Sequence, residues 1–365
     1  MNQMNSCILI AQPFNKAWIN CIYSNIMGIL TAFNPSYEKM IYSIGTTYEL
    51  LKINEKVIYP EMPSDKEDWL FDEGWFRLET KTDKLDLSNL IKTTNFSFDK
   101  NINFHHEIQK LINDGYYIFI DLDRIHFPGV EYERKNFVHP TFIYGFDIKR
   151  REYYLIEDCK NHRVYEYYSI NFDQIEKAFL ESFSHQTPRR CFGIQVIQEA
   201  IEKKLEITIK IDQIINNIES LLTTTYKIQD SGFTKMGMHK QCGIQCILDF
   251  SNDAEHMFSR IDNIELNNHY GWAMFPMDFQ LRNISLLQHI YETSALNSSA
   301  FSSLHSQLFN LKKLWEIYKN NIFRYIEYRK LNKFVRLNVN ELLRNIYYNE
   351  VNFNEYFLST LKSIK

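Results

Sequence analysis

The chain has 365 residues, 45% of them hydrophobic and 15% aromatic, which is ample for a packed core and excludes large-scale disorder. A formal net charge of −4 argues against a nucleic-acid binder, whose usual signature is a basic patch or a high pI. This length points to two domains rather than one.

The N-terminal Met1–Cys7 has no basic run and no long apolar stretch, so no signal peptide is expected. No window approaches the roughly 18 apolar residues of a membrane helix. The six cysteines (Cys7, Cys21, Cys159, Cys191, Cys242 and Cys246) are scattered, which does not fit a disulfide framework. A reduced, cytoplasmic protein is expected.

In chain order, an apolar helix is predicted to open at Cys21, within Asn20-Cys21-Ile22-Tyr23-Ser24-Asn25-Ile26-Met27-Gly28. A loop-rich stretch from Asn54 to Asn103 carries Trp69 and Trp75. A helix is predicted over Phe104–Asn113, closed by Gly115. Strands are predicted at Tyr116–Asp123, Phe137–Asp147, Glu152–Glu157 and Arg163–Tyr168, then a helix over Phe172–Phe183 and a strand at Cys191–Ile197. This mixture is an α+β arrangement. From about Glu199 the pattern turns helical: Ile211, Ile214, Ile215, Ile218 and Leu222 share one face. Leu304, Leu308, Leu311, Trp315, Tyr318, Ile322 and Tyr325 form a long stripe at alternating four- and three-residue spacing, and Asn338–Leu361 continues in kind. The expected division is a catalytic domain at 1–198 and an α-helical domain at 199–365. The stripe is read first as intrachain core, with a homodimer interface as its second use.

Three residues organise the functional reading: Cys21, His139 and Asp158. A thiol at a helix N-terminus feels the positive end of the backbone dipole, which favours the thiolate. His139 lies in the strand Asn136–Gly145 and Asp158 closes the next strand, with Phe146–Arg151 as the turn between them. A hairpin of that register can set an imidazole beside a carboxylate that fixes its tautomer. Singly, each has a structural explanation: buried cysteines are common, core histidines are hydrogen-bonded, and an aspartate often starts a turn. Their order and setting together make the functional reading. Gln12, Asn15 and Asn20 precede the cysteine, and one such amide with the Cys21 N–H could stabilise an oxyanion. Each amide alone is more readily a helix cap or a surface group.

Other clusters are weaker. His239-Lys240-Gln241-Cys242-Gly243-Ile244-Gln245-Cys246, with His256, has a Cys-x3-Cys spacing that suits a helix face better than a zinc knuckle, so no metal is expected. Asp121, Asp123, Glu131 and Glu133 read as solvated strand-end charges. No Rossmann or Walker nucleotide motif occurs.

Trp18–Gly45 together with Tyr116–Leu180 resembles the N-terminal domain of the butirosin-biosynthesis acyltransferase family, itself similar to the peptidases that trim double-glycine leader peptides on a papain-like fold. The matching elements are Cys21 opening an apolar helix, the extended Ile120-Asp121-Leu122-Asp123, the histidine strand His139–Asp147 ending in Tyr-Gly-Phe-Asp, and the strand closing at Asp158. The match covers about half of the chain. Many relatives carry a charged or imidazole residue where this chain has Asn20, and Asn15 stands at the spacing where papain-like enzymes place a glutamine. The resemblance implies a papain-like cysteine acyltransferase with a Cys21-His139-Asp158 triad. Its donor would be an acyl or peptidyl carrier-protein thioester on a phosphopantetheine arm, with no cofactor of its own, and its acceptor an amine. The product would be an amide in antibiotic assembly of nonribosomal-peptide type, and amide-forming enzymes of thioamide-antibiotic pathways look similar in outline. No nucleic acid or membrane partner is implied. The alternatives are a cysteine peptidase of leader-peptidase type and a catalytically inactive papain-like binding module.

Overall fold

The computed structural model describes the chain except for residues 1–4, 18, 54–55, 58–75, 82–84, 86, 131–137, 161–163, 184–189, 200–208, 228–237, 261–268, 272, 295 and 332–337. Trp18, Trp69, Trp75, Glu131 and Glu133 therefore lie outside the described residues. The elements run β1 (Ser6–Ile8), α1 (Cys21–Phe33), β2 (Gly45–Ile53), β3 (Lys56–Val57), β4 (Phe76–Lys81) and β5 (Ile91–Asn95). Then come α2 (Phe104–Asn113), β6 (Tyr117–Asp123), β7 (Val138–Asp147), β8 (Glu152–Glu157), β9 (Glu166–Asn171), α3 (Phe172–Ser182) and β10 (Cys191–Val196). The rest are α4 (Ile211–Leu222), β11 (Thr225–Lys227), β12 (Met238–Cys242), α5 (Gln245–Ser251), α6 (Ala254–Arg260), α7 (Met274–Thr293), α8 (Ser298–Lys330) and α9 (Asn340–Ile364). The fold is α+β, with antiparallel sheets, and no described helix is long and apolar enough to cross a membrane.

Asparagine sets several of these boundaries. Asn20, Asn103, Asn171 and Asn297 each cap a helix, their side chains accepting the N–H three residues on. A short side-chain carbonyl there satisfies a donor that has no intrahelical partner. At the far end of α2, Gly115 takes φ +83°, the left-handed turn that stops a helix at little cost.

The chain divides into two compact units, residues 1–40 with 85–208 and residues 41–84 with 209–365. This differs from the expected break at 198/199, because 41–84 belongs with the C-terminal part. The reason is a strand ladder: β2 pairs with β12 from Glu49↔Cys242 to Ile53↔Met238, and with β4 on its other side. The second unit is accordingly not purely helical; it carries a five-stranded sheet, including β11-β12-β2-β3.

The first unit is built on a seven-stranded antiparallel sheet in the order β5-β10-β6-β7-β8-β9, with β1 paired to the end of β7. Ile118, Ile120 and Leu122 alternate onto one face, where Phe104, Ile108 and Ile112 of α2 and Ile175, Ala178 and Phe179 of α3 cover them. In the second unit, the stripe on α8 is core: Leu304, Leu308, Leu311, Trp315, Tyr318 and Ile322 are all buried, with Ile326 in the place expected for Tyr325. Fully burying each such side chain is worth about 1.5–3 kcal/mol. The face offered for a homodimer is thus already occupied inside this unit.

Candidate active site

Helix α1 starts where the sequence places it. Asn20 is extended (φ −164°, ψ 172°) and its Oδ1 accepts the Tyr23 N–H at 2.8 Å, while Ser24 N–H makes the first helical bond to Asn20 O at 2.9 Å. Cys21 is therefore the first helical residue, and the N–H groups of Cys21 and Ile22 are the remaining donors of the first turn.

Beside the thiol lies a group that sequence reasoning missed. At the end of β6, Asp123 Oδ1 accepts the Ile125 N–H at 3.2 Å and folds a 3-10 turn, Arg124–His126. The turn sends Arg124 inward until only 1% of it is exposed. Its Nη1 donates to Asp158 Oδ1 at 2.8 Å and its Nη2 donates to Glu157 Oε2. Glu157 Oε1 also accepts the Phe142 N–H at 3.0 Å, tying the fork to β7. Burial is the main force on Glu157 and pushes its carboxyl up to about 7, against the pull of Arg124. Two adjacent acids at the end of an apolar strand were the available signal, since a buried pair of carboxylates demands a buried cation.

His139 sits on β7 opposite Leu122 of β6. Its Nδ1 lies 2.9 Å from its neighbour's carbonyl, Pro140 O. A carbonyl only accepts, so in the neutral ring Nδ1 carries the hydrogen and Nε2 is the basic nitrogen. Pro140 O supports that tautomer, and Asp158 Oδ1 accepts from Arg124 Nη1 at 2.8 Å. Burial lowers the His139 pKa well below its ordinary value, Arg124 lowers it further, and the Asp158 charge opposes both.

The Cys21 thiol is pushed up to about 11, by burial first, then lowered by Arg124, raised by Glu157, lowered by Arg190 and raised by Asp158. The sequence expectation of a lowered thiol is overturned here. A helix dipole is worth about 0.3–1 kcal/mol, under one pKa unit, which burial outweighs. Among the described residues the thiol makes no hydrogen bond. The charges of Arg124, Asp158 and Arg190 act on both Cys21 and His139, so all three expected residues share one electrostatic neighbourhood. Tyr165, also missed, is 2% exposed and feels both Asp158 and Cys21.

The three amides part company. Gln12 Nε2 donates to Thr31 Oγ1 at 3.1 Å, far along α1 from Cys21. Asn15 clamps the Tyr165 backbone, donating from Nδ2 to Tyr165 O at 2.9 Å and accepting the Tyr165 N–H at 2.8 Å. Asn20 uses its Oδ1 as the helix cap and commits its Nδ2 to no described partner. The segment holding Gln12 and Asn15 passes close over α1 at Gly28, where a Cβ would overlap the Gln12 carbonyl.

Asp121 and Asp123 are 4% and 1% exposed, not solvated as expected. Asp121 Oδ2 accepts from the Arg190 backbone N–H at 2.9 Å and its Nε at 3.2 Å. Asp123, His126 and Glu181 bring one ligand atom each within 4.8 Å of one another, with His126 Nε2 and Glu181 Oε2 2.7 Å apart. In the other unit, Cys242 is on β12 and Cys246 on α5 rather than on one helix face. Cys246 Sγ is spent on Gln241 O and Tyr48 O, and the side chain of His239 lies outside the described residues.

No protein-family model matches the chain, and no curated protein matches its sequence.

Proposed function

We propose that the chain is a cysteine-dependent acyltransferase of papain-like architecture that forms an amide in cytoplasmic natural-product assembly. Cys21 would carry the acyl group between a carrier-protein thioester and an amine. The observation that carries the reading is the placement of Cys21, at the first position of α1, in the same Arg124-centred charge cluster as His139 and Asp158. The second unit, rich in helices, is assigned to substrate or partner binding.

At rest the pair is a neutral thiol and a neutral imidazole. Cys21 Sγ attacks the thioester carbonyl as its proton passes to His139 Nε2, so no free thiolate accumulates. The tetrahedral oxygen takes the N–H groups of Cys21 and Ile22 at the helix start. An imidazole with a depressed pKa is a weak base but, once protonated, a strong acid, and it returns its proton to the departing carrier thiol. One C–S bond forms and one breaks, so the exchange is nearly balanced in energy. The amine then attacks the acyl group on Cys21, its proton reaches His139 and then Cys21 Sγ, and the amide leaves. Asp158 and Glu157 hold Arg124, whose charge lowers the thiol's pKa toward reaction.

One observation favours an inactive binding module instead: the thiol is raised to about 11 and makes no described hydrogen bond. Intact-mass spectrometry after incubation with an acyl-pantetheine thioester separates the two. The acyltransferase gains the acyl mass, Cys21→Ala does not, and an added amine discharges the adduct. An unmodified wild-type protein, or equal labelling of Cys21→Ala, would leave the binding module standing.

A further inference from the structure

We propose that a cavity in the first unit, beside Cys191, is a binding subsite for an aryl group carried by the acyl donor or by the amine acceptor. Its assignment to donor or acceptor rests on the acyl-transfer reading; the aryl site itself does not. Phe96, Phe98, Ile120, Phe179 and Cys191 line a cavity of about 250 Å³, together with Ser97 and Arg190. Ile120, Phe179 and Cys191 are buried, Phe96 and Phe98 are half-buried, and Ser97 and Arg190 are exposed. The cavity therefore runs from an apolar floor to a polar mouth. An apolar cavity of about 150 Å³ takes benzene, so this one has room for a phenyl ring and part of its linker.

The walls are held by packing. A Cβ on Gly193, two residues beyond Cys191, would stand 2.8 Å from the Phe96 ring, so this glycine leaves the space that the ring occupies. The Phe96 N–H donates to Cys191 O at 2.8 Å. Phe98 meets Phe179 edge-on, with 6.4 Å between centroids and 82° between planes, and Phe179 packs on Phe104 at 4.6 Å. At the mouth, Asp121 Oδ2 accepts from the Arg190 backbone N–H at 2.9 Å and from its Nε at 3.2 Å. Phenyl rings held in this way favour a further ring over saturated carbon of equal size, because edge-to-face pairs add to the gain from burial.

The sheet register sets the distance to the candidate site. Cys191 pairs with Ile120 of β6, and Leu122, two residues on, pairs with His139 of β7. Directly paired residues share a face, so His139 and the cavity floor lie on one side of the sheet. One strand spacing and one two-residue step separate Ile120 from His139, about 8 Å, and a second strand spacing puts Cys191 about 12 Å away. The charge of Arg190, at the mouth, acts on both His139 and Cys21. A ring on a short alkyl linker suits that separation.

The test uses the full chain with matched thioesters and amines. Where the donor carries the ring, Cys21 acylation from 3-phenylpropanoyl-pantetheine should be about tenfold or more faster than from propanoyl-pantetheine. It should also be about two- to tenfold faster than from the 3-cyclohexylpropanoyl thioester. Where the acceptor carries it, the same ratios should appear in discharge of the acyl-enzyme, for 2-phenylethylamine over ethylamine and 2-cyclohexylethylamine. Ser97→Trp, which fills the mouth from an exposed position, should bring the preferred arm's ratios close to one. Should Ser97→Trp fail to fold, or should no thioester acylate Cys21, the Ile120 δ1-methyl signal of the wild type decides. There 3-phenylpropanamide must shift it saturably, and further than 3-cyclohexylpropanamide does. Absent acylation fails the acyl-transfer reading and leaves that readout intact. The proposal is overturned by ratios near one in both arms, by equal rates for phenyl and cyclohexyl, by undiminished ratios in Ser97→Trp, or by a static Ile120 signal.

Discussion

Arg124 Nη1 stands 2.8 Å from Asp158 Oδ1, so the carboxylate expected to steer the imidazole is held by a buried guanidinium. The same guanidinium serves Glu157 through its other terminal nitrogen, and its charge is felt by Cys21 and His139 alike. One guanidinium therefore acts on all three residues expected of the triad.

Removing the cluster's only described buried cation should be severe. Arg124→Met leaves Glu157 and Asp158 buried without a counter-charge, a loss of about 3–5 kcal/mol for a broken buried pair. Arg124→Lys should also destabilise, since one ammonium does not reproduce a two-nitrogen fork. Urea unfolding measures both, and a change under about 1 kcal/mol would show that the fork is not structural.

Asp158→Ala should lower acyl-enzyme formation less than Cys21→Ala or His139→Ala, which remove the groups that make and break bonds. It should lower stability more than Cys21→Ala, because it strips Arg124 of one partner. Single-turnover acylation and urea midpoints on the three variants check the two orders, and inversion of either one reassigns Asp158.

The pH dependence of stability should show two opposing groups. Glu157 has a folded pKa raised from 4.5 to about 7, so its contribution is complete below about 4.5 and lost as pH rises through 7, about 3 kcal/mol in all. His139 is lowered, so its contribution is present above 6.5 and lost as pH falls below it. Between pH 4.5 and 6.5 the two offset each other. Glu157→Gln should remove the decline toward pH 7 and expose the His139 rise. Urea midpoints from pH 4.5 to 8 decide this; a variant whose profile parallels the wild type would refute the assignment.

Alkylation of Cys21 should be slow at pH 7 and should accelerate about tenfold per pH unit until about pH 11. Cys159 and Cys191, both pushed up to about 12 by burial, should lag about tenfold behind. Peptide mapping after iodoacetamide gives the order. A rate already flat from pH 6 would mean a thiolate–imidazolium pair at rest.

Gly28→Ala should cost about 1–3 kcal/mol, because the added methyl meets the Gln12 carbonyl inside a packed crossing. The displaced segment also carries the Asn15 clamp on Tyr165, so acylation of Cys21 should fall with stability. Unchanged thermal unfolding would mean the crossing is loose.

Local pattern made much of the first unit legible. The boundaries of α2 and β8 fall where periodicity and Gly115 place them, and α1 opens at Cys21 because Asn20 is a good cap. Three things were not local. β2 belongs to the second unit because its partner β12 is remote in sequence, and no periodicity encodes that. Arg124 turns inward because Glu157 and Asp158 wait there, a contact that charge patterning alone assigns to the surface. The elevation of Cys21 is a matter of burial, which a helix-start argument does not register.

The interleaving of the two units has a bearing on synthesis. Glu49 and Cys242, which face each other across β2 and β12, are 193 positions apart. At ordinary translation speeds β2 emerges about 10–40 s before the strand it pairs with. Through that interval Tyr48 and Leu50, almost wholly buried in the finished protein, wait on an open edge. The first unit, whose own sequence flanks this segment, completes its last strand while the waiting continues, so the nascent chain carries one finished body with a sticky loop hanging from it. A ribosome-bound chaperone would find its natural target there.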